Sequence, residues 1–160
     1  MDYYRETYGG YGMATPGYAA PVPYGMSQVN IDGNCGGRPM PPQPTVKIYC
    51  RTSIKDEEGY PAFAMVNKAT GQAIKHSLGQ SHPVRLVPYN PDYLDESVLW
   101  TESRDVGNGF RCVRMVNNIY LNFDALNGDK YHGGVRDGTE VVLWKWCEGD
   151  NQRWKLQPYY

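Results

Sequence analysis

The residues best suited to chemistry lie between Asn118 and Trp154. Asp124 ends a short apolar strand, Trp144 and Trp146 sit two apart on a later one, and Asn151-Gln152 stand just before Trp154. Folded as strand, loop, strand and turn, this segment brings a carboxylate, an aromatic face and an amide pair within reach of one another. An ionised carboxylate accepts from two adjacent hydroxyls, and charge-assisted bonds of that kind are the strong ones. A side-chain amide offers a hydroxyl both a donor and an acceptor. An indole face suits the apolar C–H patch of a pyranose, a contact worth about 1 kcal/mol beyond its buried area. Together these groups make the equipment of a site for sugar hydroxyls. Each also has a plainer role. Asp124 can cap the turn before Ala125-Leu126-Asn127-Gly128, one of the two strand tryptophans can be core, and Asn151 and Gln152 can be turn residues only. Trp154 is core on either reading.

The rest of the composition narrows the classes. At 160 residues the chain is long enough for one domain and short for two. A net charge of -1 leaves no basic stripe to attract nucleic acid, although the 14 tyrosines would stack on bases. No apolar run approaches the roughly 20 residues of a membrane span, and Met1-Asp2-Tyr3-Tyr4-Arg5-Glu6 lacks the pattern of a signal peptide. Cys35, Cys50, Cys112 and Cys147 form no closely spaced pair, so they read as free thiols, and neither a metal site nor a cofactor is expected.

Residues 1–45 hold eight glycines, seven prolines and six tyrosines, and no Leu, Phe, Trp or Lys. So little aliphatic surface does not offset the entropy of ordering the backbone. The stretch reads as a disordered tail, closed by the extended linker Met40-Pro41-Pro42-Gln43-Pro44. Tyr8, Tyr11, Tyr18 and Tyr24 among the glycines are weak stickers or part of a spacer.

From Val46 the composition changes. Val46 to Cys50 alternates as a strand, Phe63 to Val66 is a second, and Asn67-Lys68-Ala69-Thr70-Gly71 is a hairpin turn. Met65-Val66-Asn67 returns as Met115-Val116-Asn117 fifty residues on, and Trp100 returns as Trp154. No window shows helical periodicity. A repeat of short strands, each closing near a tryptophan, predicts an all-β fold with internal symmetry whose units pack about a shared axis.

The words Lys55-Asp56-Glu57-Glu58-Gly59-Tyr60-Pro61, Val66-Asn67-Lys68-Ala69-Thr70-Gly71, Leu99-Trp100-Thr101-Glu102-Ser103, His132-Gly133-Gly134-Val135 and Gly149-Asp150-Asn151-Gln152-Arg153-Trp154-Lys155 carry a resemblance. Residues 53–160 closely resemble the Euonymus-lectin domain of plants, a branch of the ricin-B-like β-trefoils. The resemblance implies a β-trefoil lectin of the nucleus and cytoplasm, linked to stress responses. It divides the chain into a tail at 1–45 and a lectin domain at 46–160, with a first-unit stub at 46–60, a second unit at 61–104 and a third at 110–160. The departure is in the first unit. Only Arg51 to Ile54 separate Cys50 from Lys55, so roughly thirty residues of that unit are missing. A trefoil opened in this way exposes strand edges and core surface, and a second copy of the chain or another protein can fill the gap.

By motif position the resemblance assigns a carbohydrate site to Asp124, Trp144, Asn151 and Gln152, with Gln152 bracing the site more than touching sugar, and it implies that the loop from Leu126 to Val135 forms part of the pocket. The second unit looks inactive. Val87 stands at its platform position, Lys75 or His76 where the aspartate belongs, and Ser97-Val98 in place of the amides. His76 and His82 read as surface residues. The expected function is therefore carbohydrate binding at one site in the third unit, with galactose- or mannose-containing glycans or glycoproteins as partners. The rival is a protein-interaction module in stress signalling that has lost sugar binding. Enzyme chemistry is not expected: no spacing singles out a facing pair of carboxylates, and no nucleophile elbow is present.

Overall fold

The computed structural model describes the backbone of residues 3–8 and 46–158, with side chains from 46 to 156. Ten strands run in one hydrogen-bonded system, with three 3-10 turns and no α-helix among the described residues. This is the all-β, trefoil-type architecture with an incomplete first repeat.

Strand β2 (Val46–Lys55) pairs antiparallel with β3 (Pro61–Asn67), with a register shift between Arg51 and Lys55. The turn between them is tied by Asp56, whose Oδ1 accepts from the backbone N–H of Glu58 and Tyr60. The hairpin turn after β3 forms as its residues dictate. Asn67 Oδ1 accepts from Ala69 and Thr70, and Gly71 closes the turn at a φ of 68°. Strands β4 (Gln72–Lys75) and β5 (Arg85–Pro88) follow, then β6 (Trp100–Glu102). The third unit supplies β7 (Val113–Met115), β8 (Asn118–Ala125), β9 (Val141–Lys145) and β10 (Lys155–Pro158).

The two segments that end on Trp100 and Trp154 repeat the same local details. In each, a 3-10 turn is followed by one residue and then the closing tryptophan: Glu96–Val98 before Trp100, Asp150–Gln152 before Trp154. In each, the indole N–H donates back to a strand carbonyl, Trp100 to Ile74 at 2.9 Å and Trp154 to Phe123 at 3.0 Å. Phe123 links the two indoles, its ring centroid 4.3 Å from that of Trp100 and 5.8 Å from that of Trp154. Ile48, Met65, Leu121 and Leu143 pack into the same core. Burying such residues is the main favourable contribution to the fold.

A buried ion pair ties the β2–β3 turn to β7. Arg114 of β7 donates through Nη2 to Asp56 Oδ2 at 2.7 Å and through Nη1 to Glu58 Oε2 at 2.8 Å. Thr101 of β6 donates to the same Asp56 oxygen at 2.7 Å.

The truncated first unit leaves its mark at β2. Within the stretch read from sequence as a tail, the backbone of Tyr3–Tyr8 forms a strand, β1, between β2 and β10. Positions 9–45, with the tyrosines at 11, 18 and 24 and the proline linker, lie outside the described residues. Beside β2 a groove of about 240 Å3 is lined by Ile48, Cys50, Phe63 and Leu156, among others. Cys50, Cys112 and Cys147 are free thiols, and Cys35 lies outside the described residues. No group of three or more His, Cys, Asp or Glu side chains suited to a metal occurs among the described residues, and no helix there is long and apolar enough to cross a membrane.

Candidate functional site

Strand alternation builds the site. In β8, Leu121, Phe123 and Ala125 face the core, so Asn122 and Asp124 face the other way. In the β8–β9 register Asn122 lies opposite Trp144 and Asp124 opposite Val142. Directly opposed residues share a face, so Asp124 and Trp144 stand diagonally on one surface. Asn122 steadies that arrangement by donating from Nδ2 to the Trp144 carbonyl at 3.2 Å.

The turn at Asp150–Gln152 then closes over Asp124. Asn151 Nδ2 donates to Asp124 Oδ1 at 2.9 Å and to the Ala125 carbonyl at 3.0 Å. Gln152 Nε2 donates to Asp124 Oδ2 at 2.8 Å and to the Lys145 carbonyl at 2.8 Å, while its Oε1 accepts from Cys147 N–H at 2.9 Å. Each carboxylate oxygen is thus fixed by one amide and keeps lone-pair capacity for a further donor. Burial pushes the Asp124 carboxyl above its ordinary value of 3.8, the two amide hydrogen bonds oppose that, and the charge of Asp129 adds to it.

Asp124, Trp144 and Asn151 line one cleft of about 630 Å3. The same cleft is lined by Leu126, Asp129 and Tyr131 of the loop after β8 and by Glu148 and Asp150. Of the 126–135 loop, Leu126, Asn127, Asp129, Lys130, Tyr131 and His132 line the cleft. Trp144 is half-buried. Trp146 lies beyond the end of β9, exposed, with the Arg153 guanidinium 6.0 Å from its ring centroid, so neither strand tryptophan is core.

Two sequence expectations are corrected here. Gln152, placed among the site residues as a brace, is 0% exposed and outside the cleft lining, and its side chain donates to Asp124. Asn151 spends its amide hydrogens on Asp124 and Ala125, so it offers a hydroxyl only its Oδ1 acceptor. His76, read as a surface residue, is 8% exposed. Its Nε2 bonds the Leu99 carbonyl at 2.6 Å and its ring packs on Trp100 at 4.5 Å. Burial holds its pKa below the ordinary 6.5. His82 is exposed, as expected.

At the matching positions of the second unit the residue types differ. Ile74 matches Phe123 because both receive the closing indole, and the ladders then align Val87 with Trp144 and Lys75 with Asp124. Of the two candidates for the aspartate's place, Lys75 occupies it. An aliphatic platform and an ammonium do not reproduce the third-unit chemistry.

Two supporting residues escaped the sequence reading. Asn122 was detectable as a polar residue on the non-core face of an otherwise apolar strand. Gly149 was detectable only as a glycine two residues before Asn151. A Cβ at Gly149 would collide with Asn151 Oδ1, and that amide is pinned at its nitrogen, so it does not swing aside freely. Gly149→Ala is expected to displace Asn151 from Asp124 and lower stability by about 1–2 kcal/mol, through one broken buried hydrogen bond. Urea denaturation measures it, and an unchanged midpoint would show that the amide yields.

No family model matches the chain. It is 68% identical over 204 aligned residues to ricin B-like lectin R40G3 of Oryza sativa subsp. japonica, spanning 100% of both proteins. The aligned length exceeds the 160 residues of this chain, so that relative carries residues with no counterpart here. Ricin B-like lectin EULS3 of Arabidopsis thaliana is 63% identical over 108 residues, which are 68% of this chain and 34% of the relative. The chain thus spans about a third of that protein. A solved mosquitocidal holotoxin aligns with 71% of this chain and 13% of its own at a TM-score of 0.50 and 17% identity, a likeness of fold alone. The chain belongs to the ricin B-like lectins.

Proposed function

We propose that the chain binds glycans, without catalysis, through a single site in the third unit. The supporting observation is the Asp124 carboxylate, fixed at both oxygens by Asn151 and Gln152 and lining a cleft that also presents Trp144. Two adjacent sugar hydroxyls donate to the carboxylate, one of them also reaches Asn151 Oδ1, and the pyranose C–H face lies on Trp144. Galactose- or mannose-containing glycans and glycoproteins are the ligand class, with affinity in the millimolar-to-micromolar range expected of one shallow site, or about 4–8 kcal/mol. The proposed setting is the nucleus and cytoplasm, in stress responses.

The test is titration calorimetry of the 160-residue chain with galactosides and mannosides. Asp124→Ala is expected to weaken binding at least tenfold, because a charge-assisted pair of hydrogen bonds is lost. Wild-type affinity in that variant would sink the reading. A second reading is supported by the groove beside β2, whose apolar lining includes Ile48, Phe63 and Leu156. There the partner is a second copy of the chain, seated where the first unit is short. Sedimentation as a monomer at high micromolar concentration counts against it, and Asp124→Ala leaves it untouched.

A further inference from the structure

The cleft is larger than one sugar ring requires, and its lining includes a second aromatic residue. About 630 Å3 falls within the roughly 300–1,000 Å3 typical of pockets for drug-sized ligands. A single pyranose over Trp144 fills only part of it. Tyr131 lines the same cleft and is 84% exposed.

The loop that carries Tyr131 is a braced turn. Asp129 Oδ1 accepts from Tyr131 N–H at 2.9 Å, and Asp129 Oδ2 lies 2.5 Å from His132 Nδ1. The Asp129 carbonyl accepts from His132 and Gly134. Gly133, at a φ of 92°, ends the 3-10 turn in the left-handed region that favours glycine. At the base of the loop Gly128 is packed so closely that a Cβ would fall 2.7 Å from Val135 Cγ2 and 2.8 Å from the Ala125 carbonyl. Val135 is itself part of the core. The backbone under Tyr131 is therefore tied at both ends, while its ring is offered to solvent. Lys130 Nζ lies 5.0 Å from the ring centroid. A tyrosine on a fixed turn gives a ligand large contact area at low cost in conformational entropy.

Resting on the sugar-site reading above, we propose that Tyr131 is the stacking platform of a second subsite. The ligand is then a glycan of at least two linked pyranoses, the first over Trp144 with its hydroxyls on Asp124, the next against Tyr131. Tyr131 acts on glycan length and linkage, and Asp124 on ring identity.

The experiment compares methyl galactoside with lactose, and methyl mannoside with an α-linked mannobiose, by calorimetry on the 160-residue chain. The wild type is expected to favour a disaccharide over its monosaccharide roughly three- to tenfold, the value of one aromatic contact. Tyr131→Ala is expected to erase that preference, lowering the disaccharide affinity several-fold more than the monosaccharide affinity, and Tyr131→Phe to keep it. Tyr131 is exposed, so neither variant disturbs the core. Equal wild-type affinity for both sugars overturns the inference, as does a disaccharide preference that survives Tyr131→Ala. If the wild type binds none of the four sugars, the sugar-site reading itself fails, and this inference with it.

Discussion

Arg114→Ala is expected to lower the stability of the folded chain by about 3 kcal/mol, near the bottom of the roughly 3–5 kcal/mol that follows removal of one partner from a buried pair. Arg114 and Asp56 are both buried, at side-chain exposures of 8% and 0%. Without the guanidinium, the Asp56 carboxylate remains in the interior with neutral donors only: Thr101 Oγ1 and the N–H groups of Glu58 and Tyr60. Those donors keep the loss at the lower end. The Arg114–Glu58 contact adds little, because Glu58 is half-exposed and such pairs contribute under about 1 kcal/mol. Against a total of about 5–15 kcal/mol for a typical domain, the loss is large. Urea denaturation of the wild type and variant measures it, and a difference below about 1 kcal/mol would mean that the hairpin does not need the pair.

The same network fixes a pH dependence. Burial pushes Asp56 up, but hydrogen bonds from Thr101 and Tyr60 and the Arg114 guanidinium outweigh it, so the folded pKa lies below the ordinary 3.8. A carboxylate with a depressed folded pKa contributes stability that is present above its unfolded pKa and is lost as pH falls through the folded one. The Asp56 contribution is therefore intact at neutral pH and disappears below about pH 4. In Arg114→Ala that acid-dependent loss is smaller.

How legible this was in the sequence depended on the kind of contact. The closing tryptophans and the Asn67–Gly71 hairpin follow from local pattern, because an indole at the end of each repeat and an Asn…Gly turn each fix their own surroundings. Asp124, Trp144 and Asn151 were named through the motif positions of the resemblance; alternation on β8 and β9 accounts for Asp124 and Trp144 sharing a face, and the 3-10 turn brings Asn151 to Asp124. What pattern did not reveal was the division of labour within that set. Whether an amide faces a ligand or a carboxylate depends on how the 3-10 turn at Asp150–Gln152 seats on β8, and two adjacent amides look alike in sequence. His76 failed for a similar reason. A histidine beside Lys75 and Ser77 resembles surface, and only the packing of Trp100 against it reveals that it is buried. The Arg114–Asp56 pair spans 58 residues and ties the β2–β3 turn to β7, a separation beyond any periodicity argument.

Gln152→Ala is expected to damage fold and site together, lowering stability by roughly 3 kcal/mol and glycan affinity with it. The side chain is wholly buried, and its loss leaves Asp124 Oδ2, the Lys145 carbonyl and the Cys147 N–H without their partner. Each unsatisfied buried group costs about 1–3 kcal/mol, and water entering from the cleft offsets part of it. Asp124 then loses one of the two hydrogen bonds that oppose its burial, so its pKa rises further. A raised folded pKa has the opposite sign to that of Asp56: its contribution is greatest below the unfolded pKa and is lost as pH rises through the folded one. The penalty of Gln152→Ala is therefore expected to be largest at neutral pH, where the proposed site needs Asp124 ionised, and to shrink in acid. Gln152→Glu sharpens the distinction. It sets a second carboxylate where the amide donated at 2.8 Å, and two like charges at that spacing do not both ionise. Binding at neutral pH is expected to weaken, because the Asp124 carboxylate then shares one proton with its new neighbour. Unfolding curves at two pH values, with calorimetric titration beside them, decide the matter. A loss below about 1 kcal/mol with unchanged affinity would reduce Gln152 to a turn residue and leave Asp124 held by Asn151 alone.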